Sequence, residues 1–352
     1  MGELHQKIME IGRDQAIKQA TDAQERRRLE WAAEILGVER SRRNYLHAGF
    51  AIISLPHSKP KDDRSGKAVT LQNGDARLVL HQRPIDWGED GSPIYAGLPY
   101  GPKARLIMMY IQTYAVRNKS RNIVLGDSMS AWIKRLGYQN VNGGERGVIG
   151  AVHEQARRIA RCEFTMVWDK ADGSGRKMAD QSLAKGLDLF AFGDGDDEEE
   201  NRQLSLLPPA TDEVKPAKKR KYNWVREIEL GEEFYDSIMQ NKVTLSEEAI
   251  AKLKGSAWAL DIYTWLSYRL RSVNKPTKAL PWEMIREQFA SKLYKDNVSA
   301  FRNTVFLPQL QDVLAVFPEA KVEWDEKGLI MHPLRRLENT FHQVLLPPAS
   351  AA

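Results

Sequence analysis

The chain has 352 residues, 42% hydrophobic, 28% charged and 9% aromatic, which is ordinary globular composition with room for two or three cored domains. Its formal net charge is +5, from 52 Lys and Arg against 47 Asp and Glu, and the single cysteine excludes a disulfide framework or a cysteine zinc site. No apolar run approaches the roughly 18 residues of a bilayer span, and the opening MGELHQKIMEIGRD lacks a secretory pattern, so a cytoplasmic protein without membrane contact is expected.

In chain order, residues 3–46 read as an exposed basic helix, with RRR at 26–28 and ERSRR at 39–43. From Phe50 the pattern turns to short strands: FAIISLP (50–56), AVTLQNGDARLVLHQ (68–82), in which Asn73-Gly74 is a hairpin turn, and IYAGLPYG (94–101). KARLIMMYIQTYAVRN (103–118) has helical spacing behind Pro102. A short extended piece at 122–126 follows, then a second helix at 128–137 stopped by Gly137. A third helix is expected over 145–162, with Ile149, Val152, Ala156 and Ile159 as its apolar stripe. CEFTMVWD (162–169), a DGSG turn and LAKGLDLFAF (183–192) would close the unit with a β-hairpin, and Cys162 reads as a small half-buried residue.

Residues 193–221 combine an acidic run, Pro-Pro and KKRK without apolar periodicity, and read as a linker. The same order of elements then recurs: a helix over 256–274, a short strand plus helix over 277–290, a long helix over 294–317 that Pro308 should kink or split, and a hairpin from 320–325 and 328–334. The expected fold is α+β: two tandem winged-helix domains, each three helices plus a β-hairpin wing, behind an N-terminal helix. The expected boundaries are a helical extension at 1–49, domain one at 50–192, the linker at 193–221, domain two at 222–335 and a tail at 336–352.

Charge is uneven. Residues 1–192 carry 30 Lys and Arg against 22 Asp and Glu, and 101–161 carry 11 against 3, the concentration that a polyanion-binding surface needs. Off the stripe of the third helix lie Arg146, His153, Arg157, Arg158 and Arg161, candidates for the major groove, the later arginines for phosphate. Lys119, Arg121, Lys134 and Arg135 would flank the same groove. In the second unit Lys295, Asn297, Ser299, Arg302 and Asn303 take the corresponding place, with Lys292, Arg335 and Arg336 as backbone anchors. The aromatic helix bearing Trp258, Tyr263, Trp265 and Tyr268 reads as core rather than as a base-stacking platform.

Catalytic patterns are missing. No Gly-Lys-Ser/Thr phosphate loop occurs, the seven histidines are scattered without a ligand-spaced pair, and no nucleophile elbow is present. No catalytic residue, metal or cofactor is expected. A DNA-nicking enzyme is disfavoured by the missing histidine pair. A winged-helix transcriptional regulator or autorepressor shares the DNA-reading features and stays open as an alternative.

The stretches GLPYGPKARLIMMYIQTYAVRNKSRNIVLGDSMSAWIKRLG (97–137) and EQARRIARCEFT (154–165), with ISLPH (53–57) and NGDARLVL (73–80) upstream, resemble the plasmid RepA replication initiators. Over 222–335 the resemblance is one of architecture. It implies binding to repeated origin sequences (iterons) in double-stranded DNA, local melting, and recruitment of a host initiator and the replicative helicase. It also implies homodimers that repress their own promoter.

Overall fold

The computed structural model describes residues 2–38, 42–61, 63–126, 128–139, 147–169, 176–182, 227–290, 294 and 297–334. Three helices come first: α1 (Glu3–Ile11), α2 (Arg13–Lys18) and α3 (Ala23–Gly37). Asp22 starts α3 by accepting the N–H groups of Gln24 and Glu25 at 2.7 and 2.8 Å. Ile8, Ala16, Leu29 and Ala32 give these helices a small core of their own. Strand β1 (Arg43–His47) and helix α4 (Ala48–Ile52) follow.

Next come the hairpins β2 (Val69–Asn73) with β3 (Ala76–Gln82), and β4 (Pro84–Trp87) with β5 (Pro93–Tyr95). Helix α5 (Gly101–Asn118), strand β6 (Asn122–Val124), and helices α6 (Met129–Arg135) and α7 (Val148–Ala160) lead to the strands β7 (Cys162–Asp169) and β8 (Arg176–Ser182). Strands β2, β3, β7 and β8 form one antiparallel sheet in that order. Leu78 and Leu80 of β3 pair with Met166 and Phe164 of β7, and all four are buried, so alternation sets which face meets the core.

The second half runs β9 (Glu227–Glu229), α8 (Glu232–Gln240), β10 (Lys242–Ser246), α9 (Glu247–Leu253) and α10 (Ala257–Arg269). It ends with β11 (Leu280–Pro281), α11 (Trp282–Ala290), α12 (Val298–Ala300), α13 (Leu307–Val316), β12 (Val322–Trp324) and β13 (Gly328–Met331). The three strands are ordered β11-β13-β12. A Cβ at Gly328 would collide with the Leu280 carbonyl, so the close approach of β11 to β13 needs a glycine there. The chain is thus α+β, with small antiparallel sheets among helices.

Several local expectations are corrected. FAIISLP was expected as a strand; residues 48–52 are helical, because the His47 ring accepts the Gly49 N–H at 3.0 Å and the turn packs Phe50 and Ala51 inward. Short apolar runs do not distinguish helix from strand. The segment 3–46 is broken into three helices and a strand, and its basic face is not simply solvated: Arg27 and Arg28 bind Asp312 of α13 at 2.9 and 2.7 Å. The strand returning against β7 lies at 176–182; the expected 183–192 lies outside the described residues. The disturbance expected at Pro308 is present: the segment divides into α12, a π-helical stretch over Phe301–Phe306 and α13, with Pro308 in the first turn of α13. Cys162 is fully buried at the start of β7, where burial pushes its thiol pKa up.

The halves are sewn together. Strand β1 pairs with β10 and β6 pairs with β9, each across more than 100 residues of sequence. A single buried cluster runs from Ile35 to Met331. At its centre Arg105 of α5 grips Asp261 of α10 through two bonds of 2.6 Å, and its remaining N–H groups reach the carbonyls of Leu55, Pro56 and Gly101. His57 lies 2.9 Å from the same carboxylate and stacks on Trp258 with centroids 3.6 Å apart. A buried ion pair is tolerable when its spare hydrogen-bonding capacity is filled, as it is here. Arg105 holds the Asp261 carboxyl below its ordinary range despite burial, while burial holds the His57 imidazole below its own.

Candidate nucleic-acid interface

Helix α7 is positioned by its stripe: Val152, Ala156 and Ile159 are buried against the rest of the first unit, and Ile149 is half-buried. Its polar side is only partly free. Segment 96–101 and the loop after α4 meet a second flank, where Gln155 accepts the Tyr100 N–H at 2.9 Å and Asp63 reaches Arg158; His153 is also buried. Arg158 is fully enclosed, bonding Asp63 at 2.6 Å, the Leu98 carbonyl at 2.9 Å and Glu154 at 2.8 Å. A side chain on Gly97 would strike both Arg158 and Asp63, and with φ +96 the position suits glycine alone. His153 and Arg158 therefore hold the protein together instead of facing a groove. Burial, with the Arg157 charge nearby, keeps His153 neutral by lowering its pKa to about 4.

Two of the arginines that α7 offers outward lie at its C-terminal end. Arg157 and Arg161 are half-exposed, and the exposed Arg64, from the loop after α4, joins them. Desolvation and the like charges of Arg64 and Arg161 lower the Arg157 pKa, partly offset by the carboxylate of Asp86 on β4. Sequence patterning missed Arg64, because it sits in a polar loop with no periodicity; only the fold carries it to α7.

The remaining candidates disperse. Lys119 is exposed and closes α5 in a left-handed conformation at φ 50. Arg121 is spent on Glu229, Glu232 and the Leu230 carbonyl, which fasten β6 to β9. Lys134 and Arg135, at the end of α6, open onto a groove shared with α5 and α9, whose lining includes no residue of α7. Arg146 lies outside the described residues, as do Lys292, Lys295, Arg335 and Arg336.

In the second half Asn297, Ser299 and Asn303 are exposed and Arg302 is half-exposed, all in the turns leading into α13. Asn297 caps α12 through the Ala300 N–H at 2.8 Å. Arg302 spans Asn303 at 2.9 Å and lies 5.8 Å above the Trp282 ring, so its guanidinium is braced beside α11. Trp265 and Tyr263 are core, and Trp258 is occupied by His57.

A family model for plasmid encoded RepA protein matches residues 98–186 and 193–284, together half of the chain. The chain belongs to this family. Membership supports a role in initiating plasmid replication. No curated protein and no solved structure matches the chain. The first matched segment holds α5 through β8, with Arg157 and Arg161; the second reaches into α11 and holds Asp261. The polar residues 297–303 lie beyond it, so for this RepA-family chain their role rests on geometry. Among the described residues no helix is long and apolar enough to cross a membrane, and no group of three or more His, Cys, Asp or Glu is placed to hold a metal.

Proposed function

We propose that the chain is a plasmid replication initiator that reads double-stranded origin repeats (iterons) through two winged helices. The observation that carries this is the pair of half-exposed arginines Arg157 and Arg161 at the C-terminal end of a third helix, inside the segment that matches the RepA family, with the exposed Arg64 of the loop after α4 bearing on Arg157 from outside it. In the second half, the order α10, β11, α11, α13, β12, β13 supports this reading, with Asn297, Ser299, Arg302 and Asn303 in the turns leading into α13. In this reading the first half departs from the simple plan, since its β7–β8 hairpin extends the β2–β3 sheet and β6 pairs with β9. The protein acts by binding, in the cytoplasm, with no cofactor. It opens the duplex and recruits the host initiator and replicative helicase through protein contacts. Because the Arg105–Asp261 bond and the β1–β10 pairing join the halves, both helices engage DNA at one fixed spacing.

Footprinting on DNA flanking the gene, at two salt concentrations, tests this. Protection of regularly spaced direct repeats, weakened by Arg157→Ala and by salt, is the expected result. A single protected palindrome would instead indicate a promoter regulator. Absence of protection at low salt would overturn the DNA reading, and nicking of supercoiled origin DNA with magnesium would overturn the non-catalytic one.

A further inference from the structure

The β4–β5 hairpin meets α7 at the end that carries Arg157 and Arg161. Its root is fixed there, because the Arg83 N–H donates to the Arg161 carbonyl at 2.8 Å. The Arg83 guanidinium is paired with Glu163 of β7, so that charge is already answered. Above the root the register slips: Pro84 pairs with Tyr95 but Asp86 with Ile94, which leaves Ile85 as an extra residue in β4. A bulge of this kind breaks the alternation of a strand and re-aims the side chain that follows it. That side chain is Asp86. Its carboxylate is exposed, and it accepts the Trp87 N–H at 2.8 Å. The turn beyond is closed by the Gly88 N–H on the Ser92 carbonyl at 2.7 Å and by the Ser92 hydroxyl on Asp90 at 2.6 Å. The hairpin is thus tied at its root, at Asp86 and at its tip.

Its charge is of one sign. The stretch PIDWGEDGSPIY (84–95) holds Asp86, Glu89 and Asp90 and no Lys or Arg. A wing that grips a phosphate backbone presents cations or N–H donors to it, and this hairpin presents anions. Yet it stands beside the arginines best placed for phosphate, and Asp86 offsets part of the like-charge crowding that Arg64 and Arg161 impose on Arg157.

We propose that Asp86 is a counter-charge set against the phosphate-binding arginines of α7, restraining the affinity of this surface for every duplex. The inference rests on the DNA reading above. A phosphate drawn to Arg157 is opposed by the carboxylate already bearing on it, so each phosphate contact at this end of α7 yields less than an unopposed arginine would. Binding to unrelated DNA comes essentially from phosphate, so the restraint shortens the stay of the chain on such DNA.

Asp86→Asn tests this, because it removes the charge and keeps an oxygen for the Trp87 N–H. Binding isotherms on the footprinted repeat and on a shuffled duplex of the same length, at three salt concentrations, are the readout. The expected result is about threefold tighter binding to both duplexes near about 0.1 M salt, with a log–log salt slope steeper by up to about one unit. In an Arg157→Ala background the same substitution should gain almost nothing, since the group it frees is gone. Glu89→Gln makes the same charge change at the hairpin tip and should gain less. Thermal unfolding checks the fold of each variant, with Asp86→Ser as the substitute. Unchanged or weaker binding by Asp86→Asn would overturn the proposal. So would an equal gain from Glu89→Gln, which would make the effect one of net charge, or an undiminished gain without Arg157. A wild-type chain that holds neither duplex at low salt would sink the DNA reading itself, an outcome distinct from a wild type that binds while Asp86→Asn changes nothing.

Discussion

The two halves treat the polar side of their third helix in opposite ways. On α7, three polar residues that lie off the apolar stripe, His153, Gln155 and Arg158, are buried, while Glu154, Arg157 and Arg161 stay partly exposed. On the residues leading into α13, Asn297, Ser299 and Asn303 stay exposed and bond only locally: Asn297 accepts the Ala300 N–H, and Asn303 accepts from Arg302 and donates to Ser299. The first surface is tied to the fold by charge, whereas the second lies on top of it. Distance from a helix's apolar stripe therefore says only that a side chain does not meet that core; a further layer of chain can still enclose it.

The contrast breaks or holds first on stability. Asp63→Ala leaves Arg158 buried without its main partner and should cost about 3–5 kcal/mol in urea unfolding, the usual penalty for half of a buried pair. Adding Arg158→Met should recover much of that loss, because an apolar chain of similar length needs no counter-charge. Asn303→Ala, on the open surface, should stay within about 0.5 kcal/mol of wild type. Comparable losses at Asp63 and Asn303 would erase the distinction.

Titration sharpens it. The folded pKa of His153 is about 4, below the ordinary imidazole value, so the unfolded chain binds the extra proton between about pH 6.5 and 4. Stability is therefore level above that window and falls as pH drops through it, by about 2 kcal/mol at pH 5 for one such histidine. His47, held near the same value by burial alone, adds a decline of the same sign. Urea midpoints at pH 7.5 and 5 should show the drop, and His153→Gln should remove roughly half of it. An unchanged slope in that variant would place His153 in water.

Local signals made much of this legible. Asn73-Gly74 marked the β2–β3 turn, Pro102 the start of α5, and the stripe through Val152 and Ile159 the buried side of α7. The PYGPKAR and QARR strings carried the resemblance that the family match repeats. What stayed hidden is long-range. The pairing of β1 with β10 joins residues about 200 apart, and neither strand announces its partner. Arg105 and Asp261 look like isolated charges on two apolar helices until the helices meet. Arg158 was read as a DNA contact because Asp63, its true partner, lies 95 residues away in a loop. Composition locates charge along the chain, and only packing decides which charges remain available to a ligand.

The smallest expected effect is the one that separates DNA positioning from DNA reading. If Arg157 and its neighbours touch phosphate, Arg157→Ala should weaken binding to every duplex alike, by about 1 kcal/mol, and flatten the log–log salt dependence by about one unit. Arg302, braced on Trp282 at the opening of the second half, should behave differently. Arg302→Ala should leave the salt slope nearly unchanged and relax preference at one base position, with total affinity shifting by less than Arg157→Ala does. Binding isotherms on the cognate repeat and on single-base variants, at three salt concentrations, check both. Should Arg302→Ala instead flatten the salt slope with no change in base preference, the second half would be a phosphate clamp, and the sequence reading would rest with α7.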